Sequence, residues 1–159
     1  MIVVSDTSPI SNLLQIGDLD LLRLLFNEII IPQDVFDELC EIKAQADILS
    51  EQTWIKTLLV VDSELKAELL KDLDKGEAEA IILAIELHAD YLLIDEVKGR
   101  AIAESYDIKV VGILGVLLQA KQKGLIADVK THLQKLVDEA GFWLNPKLIE
   151  KVLEIAKEK

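Results

Sequence analysis

Asp6 and Asp95 each stand at the end of a short apolar run, Ile2–Ser5 and Tyr91–Ile94. In open parallel sheets, ligands bind outside the carboxyl ends of the strands. An acid there serves as a loop residue, a helix cap or a ligand-site residue, and two such acids in one small chain favour the last. Glu77 is followed at i+4, i+7 and i+8 by Ile81, Ala84 and Ile85, an apolar stripe that faces a core. It therefore lies on the inner edge of a helix start, where the helix dipole favours its charge. Glu38 lies between Val35 and Ile42 at i−3 and i+4 and borders an apolar face as well. Judged alone it is a rim carboxylate, while Asp34, Asp37 and Glu41 are expected in solvent. Glu79 belongs to a more mixed stripe with Leu83 and Glu86.

If Asp6, Glu38, Glu77 and Asp95 converge, their like charges raise each other's pKa and oppose formation of the site. Hard divalent cations relieve that repulsion, and an oxygen-only donor set selects one or two Mg²⁺ or Mn²⁺ ions. Ions held in this way activate water and stabilise the leaving oxygen of an in-line phosphodiester displacement. The single cysteine, Cys40, and the isolated His88 and His132 exclude a cysteine- or histidine-rich zinc site.

Elements that position such acids are legible as apolar runs alternating with amphipathic stretches. Strands are expected at Ile2–Ser5, Ile29–Ile31, Trp54–Val61, Tyr91–Ile94 and Lys109–Val111. Helices are expected from Ile10 to Phe26 with a break at Gly17-Asp18, over Gln33–Ser50 in two pieces, and from a Ser63 cap to Leu73. Further helices are expected over Glu77–His88, Lys98–Tyr106, from Gly115 to Lys123, Asp128–Glu139 and Pro146–Lys157. The alternation predicts an α/β fold with a mainly parallel sheet covered on both faces. A chain of 159 residues is about one domain, read as 1–159 with a helical C-terminal extension over 128–159. The last turn, Lys157-Glu158-Lys159, is expected to fray. Gly112-x-x-Gly115 is read as a tight strand-to-helix turn rather than a phosphate cradle, since no P-loop lysine pattern accompanies it. Leu14, Leu21, Leu22 and Leu25 form a core stripe or a dimer face, and Trp54, Phe142 and Trp143 are read as packing anchors.

Several segments in this order resemble a PIN domain: Val-Val-Ser-Asp-Thr-Ser-Pro-Ile at 3–10, Gly-Glu-Ala-Glu-Ala-Ile at 76–81 and Leu-Leu-Ile-Asp-Glu at 92–96. Gly-Arg-Ala-Ile-Ala at 99–103, Val-Val-Gly-Ile-Leu-Gly-Val-Leu at 110–117 and Gly-Phe-Trp-Leu-Asn-Pro at 141–146 continue it. The tail resembles a prokaryotic PIN-like subfamily of predicted nucleic-acid-binding proteins. The resemblance implies a three-layer α/β/α fold and a metal-dependent ribonuclease site for RNA. It also implies kinship with VapC-like toxins, which are neutralised by an antitoxin and commonly dimeric. It assigns Asp6, Glu38, Glu77 and Asp95 to the metal and catalysis, with Glu79 and Glu96 as alternates for Glu77 and Asp95, and Ser8 as a supporting polar residue. The third acid of the family is commonly aspartate, and Ile113 stands where the subfamily often has threonine.

Balanced against this are 29 acidic and 17 basic residues, a formal net charge of −12. General nucleic-acid binders carry a basic face, so RNA contact here has to be local and assisted by metal. Lys98 and Arg100 are the candidates for RNA phosphates. A non-catalytic PIN-like module that binds protein or nucleic acid is the alternative function. With no signal segment and apolar runs far shorter than the ~20 residues of a membrane span, a soluble cytoplasmic protein without a membrane partner is expected.

Overall fold

Adjacent residues of the inner strands are mostly apolar because helices cover both sides of one sheet. The computed structural model describes residues 1–159. Its elements run β1 (Val3–Ser5), α1 (Thr7–Gln15), α2 (Asp20–Phe26), β2 (Ile29–Pro32), α3 (Gln33–Leu39), α4 (Lys43–Ser50), β3 (Ile55–Leu58) and α5 (Glu64–Leu69). They continue with α6 (Lys75–Glu86), β4 (Tyr91–Leu93), α7 (Val97–Ser105), β5 (Val110–Val111), α8 (Ile113–Gln122), α9 (Val129–Ala140) and α10 (Pro146–Ile155). The sheet order is β3-β2-β1-β4-β5 and every pairing is parallel. The chain is α/β in three layers, as the alternation of runs implies.

Side chains alternate across a strand, and the two cores divide accordingly. Val3, Ile29, Ile31 and Leu93 enter a cluster of 25 buried residues under α1–α3 and α8–α10. Val4, Leu92 and Ile94 enter a second cluster of 13 under α5–α7. Leu21, Leu22 and Leu25 belong to the larger core, so that stripe is spent inside the chain and is not free as a dimer face. Gly17, with φ +76°, makes the expected break between α1 and α2. Ser63 caps α5 by accepting from Lys66 N–H.

Strand order turns back on itself between β1 and β4. There the carboxyl ends of two neighbouring strands feed chain in opposite directions, the switch point at which such sheets bind ligands. Asp6 follows β1 at this point, and its N–H donates to Leu93 O of β4 at 2.9 Å. Helix α6 returns antiparallel to the strands to feed β4, so its first turn lies at the same edge.

Two expectations are corrected. Trp143 is not a packing anchor: it is 80% exposed. The last turn is not loose, because Glu158 accepts from Val129 N–H at 2.7 Å, Lys130 N–H at 3.0 Å and Lys121 Nζ at 2.9 Å. That carboxylate satisfies the open N–H groups at the start of α9, a long-range pairing with no local signature. Glu158→Ala should therefore lower stability by roughly 1–3 kcal/mol in urea unfolding. A change within error would show that these bonds contribute nothing net.

Candidate active site

The site is assembled from the starts of α1, α6 and α7 and the last turn of α3 around the end of β1. Asp6 occupies the N-cap position of α1 without using its side chain as a cap. It is buried at 5% exposure. On α6, Asp74 is the N-cap in a reciprocal capping box: Glu77 N–H donates to Asp74 Oδ1 at 2.8 Å, and Asp74 N–H donates to Glu77 Oε1 at 3.1 Å. This box starts the helix at Lys75, two residues earlier than the apolar stripe implies, and holds Glu77 at 9% exposure. Asp6 and Glu77 form the floor of the acidic pocket.

Exposed acids make its rim. Glu38 Oε2 accepts from Thr7 Oγ1 at 2.8 Å and lies 3.2 Å from where a Cβ on Gly76 would stand. Glu38 is thus pinned between the starts of α1 and α6. The carboxylate of Glu96 caps α7, accepting from Gly99 N–H at 2.7 Å. A methyl group on Gly99 would lie 3.5 Å from Glu77 Oε2 and 3.6 Å from Glu96 Oε2, so the two glutamates flank the same glycine.

Asp95 does not join this group. Its Oδ1 accepts from Ile113 N–H at 2.7 Å, which ties the end of β4 to the start of α8, and its Oδ2 is buried without a partner. Burial raises its pKa, while the Ile113 N–H and the Arg100 charge pull it back. Of the alternates, Glu96 is the one placed beside Glu77. Glu79 faces the opposite way, buried at 3% in an ion pair with Lys66 Nζ at 2.7 Å. Ser8 is exposed; Thr7, one residue earlier, supplies the hydroxyl that holds Glu38. Lys98 pairs with Asp72 at 3.3 Å, and Arg100 donates to Ile94 O at 3.3 Å. The sequence reading missed Asp74 and Thr7, although Asp74-x-x-Glu77 is a capping-box spacing that could have been found.

Charge is concentrated here without compensation. Asp6, Glu38, Asp74, Glu77 and Glu96 have no Lys, Arg or His nitrogen within 4.0 Å. Burial first, then the charges of Glu77, Asp74 and Glu38, raise the Asp6 carboxyl from 3.8 to about 7, against a Thr7 N–H that lowers it. Burial first, then Asp74 and Glu96, raise Glu77 from 4.5 to about 7. No three His, Cys, Asp or Glu side chains close on one point at cation-ligand distance. The donor chemistry nevertheless fits a hard divalent cation: every donor is a carboxylate oxygen, and two are buried with no protein cation to neutralise them.

A family model described as a PIN domain matches residues 2–158. No curated protein matches the chain. No helix is long and apolar enough to cross a membrane.

The raised pKa values fix the sign of a pH effect. Asp6 and Glu77 bind protons more tightly folded than unfolded, so ionising them opposes folding. That penalty is absent below pH about 4 and complete above pH about 7; for Asp6 the rise corresponds to roughly 4 kcal/mol as an upper bound. In EDTA, Asp6→Asn should raise the melting temperature at pH 8 and flatten its fall between pH 4 and pH 7. Mn²⁺ should then raise the melting temperature of wild type more than that of the variant. Identical pH and Mn²⁺ responses in the two proteins would remove Asp6 from the site.

Proposed function

The chain belongs to the PIN-domain family, and from that premise we propose that it is a metal-dependent endoribonuclease that hydrolyses phosphodiester bonds of single-stranded RNA. The observation that carries the proposal is a pair of buried acids, Asp6 and Glu77, at the β1/β4 switch point with no cationic side chain beside them. Asp6, Glu38, Glu77 and Glu96 would hold one or two Mg²⁺ or Mn²⁺ ions, with Asp95 setting the β4–α7 connection from which Glu96 projects. When bound, such ions lower the pKa of water and stabilise charge on a departing oxygen.

What the side chains do follows from their surroundings. Asp6 and Glu77, poised near pH 7, give up protons as cations arrive, so affinity for metal rises with pH. Thr7 orients Glu38 through one oxygen and leaves the other for a ligand. The Asp74 box fixes the first turn of α6 and with it the direction of Glu77. Lys98 and Arg100 follow on α7, where phosphates leaving the pocket can meet them. With a net charge of −12, RNA should bind weakly and lose affinity steeply with salt. We extend the proposal to a VapC-like toxin role, with an antitoxin as partner and a two-fold dimer as the assembly; a mass of 17.7 kDa by light scattering at micromolar concentration would count against the dimer. The excess of acid favours a second reading, a PIN-like module that binds without cutting.

The assay that separates them uses a mixed RNA pool with Mn²⁺. Wild type should cleave single-stranded RNA, EDTA should stop it, and Asp6→Asn or Glu77→Gln should each slow it by on the order of 100-fold or more. Equal cleavage by all three proteins would mark the activity as contamination. Thermal stabilisation of wild type by Mn²⁺ with no cleavage of any RNA would favour the binding module.

A further inference from the structure

On the far side of the β4–α7 connection from the acids, a groove of about 620 Å³ runs between α7, β5 and the segment joining α9 to α10. That volume lies within the roughly 300–1,000 Å³ usual for small-molecule sites. Its lining includes Asp95, Arg100, Gly112, Phe142, Trp143 and Asn145. Three features there are unusual for a surface that merely closes a core. Trp143 is 80% exposed, although tryptophan is a highly buried residue on average. Arg100 has no carboxylate within 4.0 Å in this very acidic chain, and its one hydrogen bond goes to Ile94 O, which leaves most of its five donors unused. Asn145 spends its Oδ1 on Lys147 N–H and keeps its amide NH₂ unbonded.

Gly112 belongs to the same construction. A Cβ there would overlap the Arg100 guanidinium and stand 2.9 Å from Asp95 Oδ1. The glycine is therefore what lets Arg100 lie against the turn into α8, at one end of the groove.

A guanidinium near Asp95 with donors to spare, an unbonded amide and an open indole in one groove match a phosphate, a base edge and a base face. We propose that this groove is a nucleotide subsite in which Trp143 stacks on an unpaired base of the RNA strand while Arg100 holds its phosphate. The proposal rests on the ribonuclease reading of the acidic pocket: Glu96 points into that pocket and Asp95, its neighbour, faces the groove, so a strand crossing the β4–α7 connection passes from one to the other. Stacking is tolerant of base identity because every base offers a π-face. The subsite accordingly selects unpaired strand over duplex, whose bases are already stacked.

Trp54 is the only other tryptophan, so Trp54→Phe leaves Trp143 as the sole reporter. In EDTA and low salt, where no cleavage occurs, hexaadenylate should quench its fluorescence, and an abasic hexamer with the same phosphates should not. With a labelled hexaadenylate followed by anisotropy, Trp143→Ala should weaken binding by about 10-fold and Trp143→Phe should restore most of it. Arg100→Gln should weaken binding of the hexamer and of adenosine monophosphate alike. A mononucleotide binding as tightly as the hexamer would replace the strand by a free nucleotide and overturn the assignment. Absence of quenching up to millimolar hexamer would also overturn it. The two readings separate with Mg²⁺ present: cleavage without quenching removes the subsite alone, and quenching without cleavage removes the ribonuclease alone.

Discussion

Asp6 and Glu77 are buried at the carboxyl edge of the sheet with no Lys or Arg within 4.0 Å, and ionising either one there costs free energy that the rest of the fold has to supply. The cost is specific to this edge. Glu79, two residues beyond Glu77 on the same helix, is buried even more deeply and is neutralised by Lys66 at 2.7 Å. Successive helical residues are rotated by about 100°, so a two-residue step carries the second glutamate to another face of α6 and into a paired environment. One helix thus holds a compensated acid and an uncompensated one, and only the latter points at the switch point.

Two cores provide the stability against which that repulsion is set. The larger cluster fixes β1 and β2 from one side and the smaller one fixes β1 and β4 from the other. Because residues on either side of a strand position belong to different cores, the end of β1 is clamped from both faces. Asp6 cannot swing away from the edge without disturbing Val3, Val4 and their neighbours. The starts of α6 and α7 then carry Glu77 and Glu96 on short, locally bonded geometry, Asp74 to Glu77 and Gly99 to Glu96, while Glu38 at the end of α3 is held by Thr7 at the start of α1. A cluster that repels itself is held in place by backbone and hydroxyl donors instead of by salt bridges, which leaves its net charge intact for cations to answer.

Most of the architecture was legible in the amino-acid order. Short runs such as Ile2–Ser5, apolar up to its last residue, and Ile29–Ile31 carry the signature of strands covered on both faces, and the stripes beside them have helical period. Gly17 and Ser63 marked a helix break and a helix start through purely local chemistry. The placement of Asp6 at a strand end and of Glu77 on an inner helix edge followed from the same periodicities, since direction relative to a core is a local property once the element is known.

What periodicity does not contain is which of two adjacent residues turns towards which neighbour. Asp95 and Glu96 differ by one position in a connection of irregular backbone, where no period applies. Only the docking of α8, which presents Ile113 N–H to Asp95, and the capping of α7 by Glu96 decide that Glu96 stands beside Glu77. The same holds for Glu79, whose partner Lys66 comes from another helix, for Glu158, which reaches back 29 residues to Val129, and for Trp143, whose exposure depends on how α10 packs. The residue types, their local elements and the sign of the charge come from the sequence alone. Partner choice across the fold comes from tertiary packing, because it depends on distances between segments that no local pattern encodes.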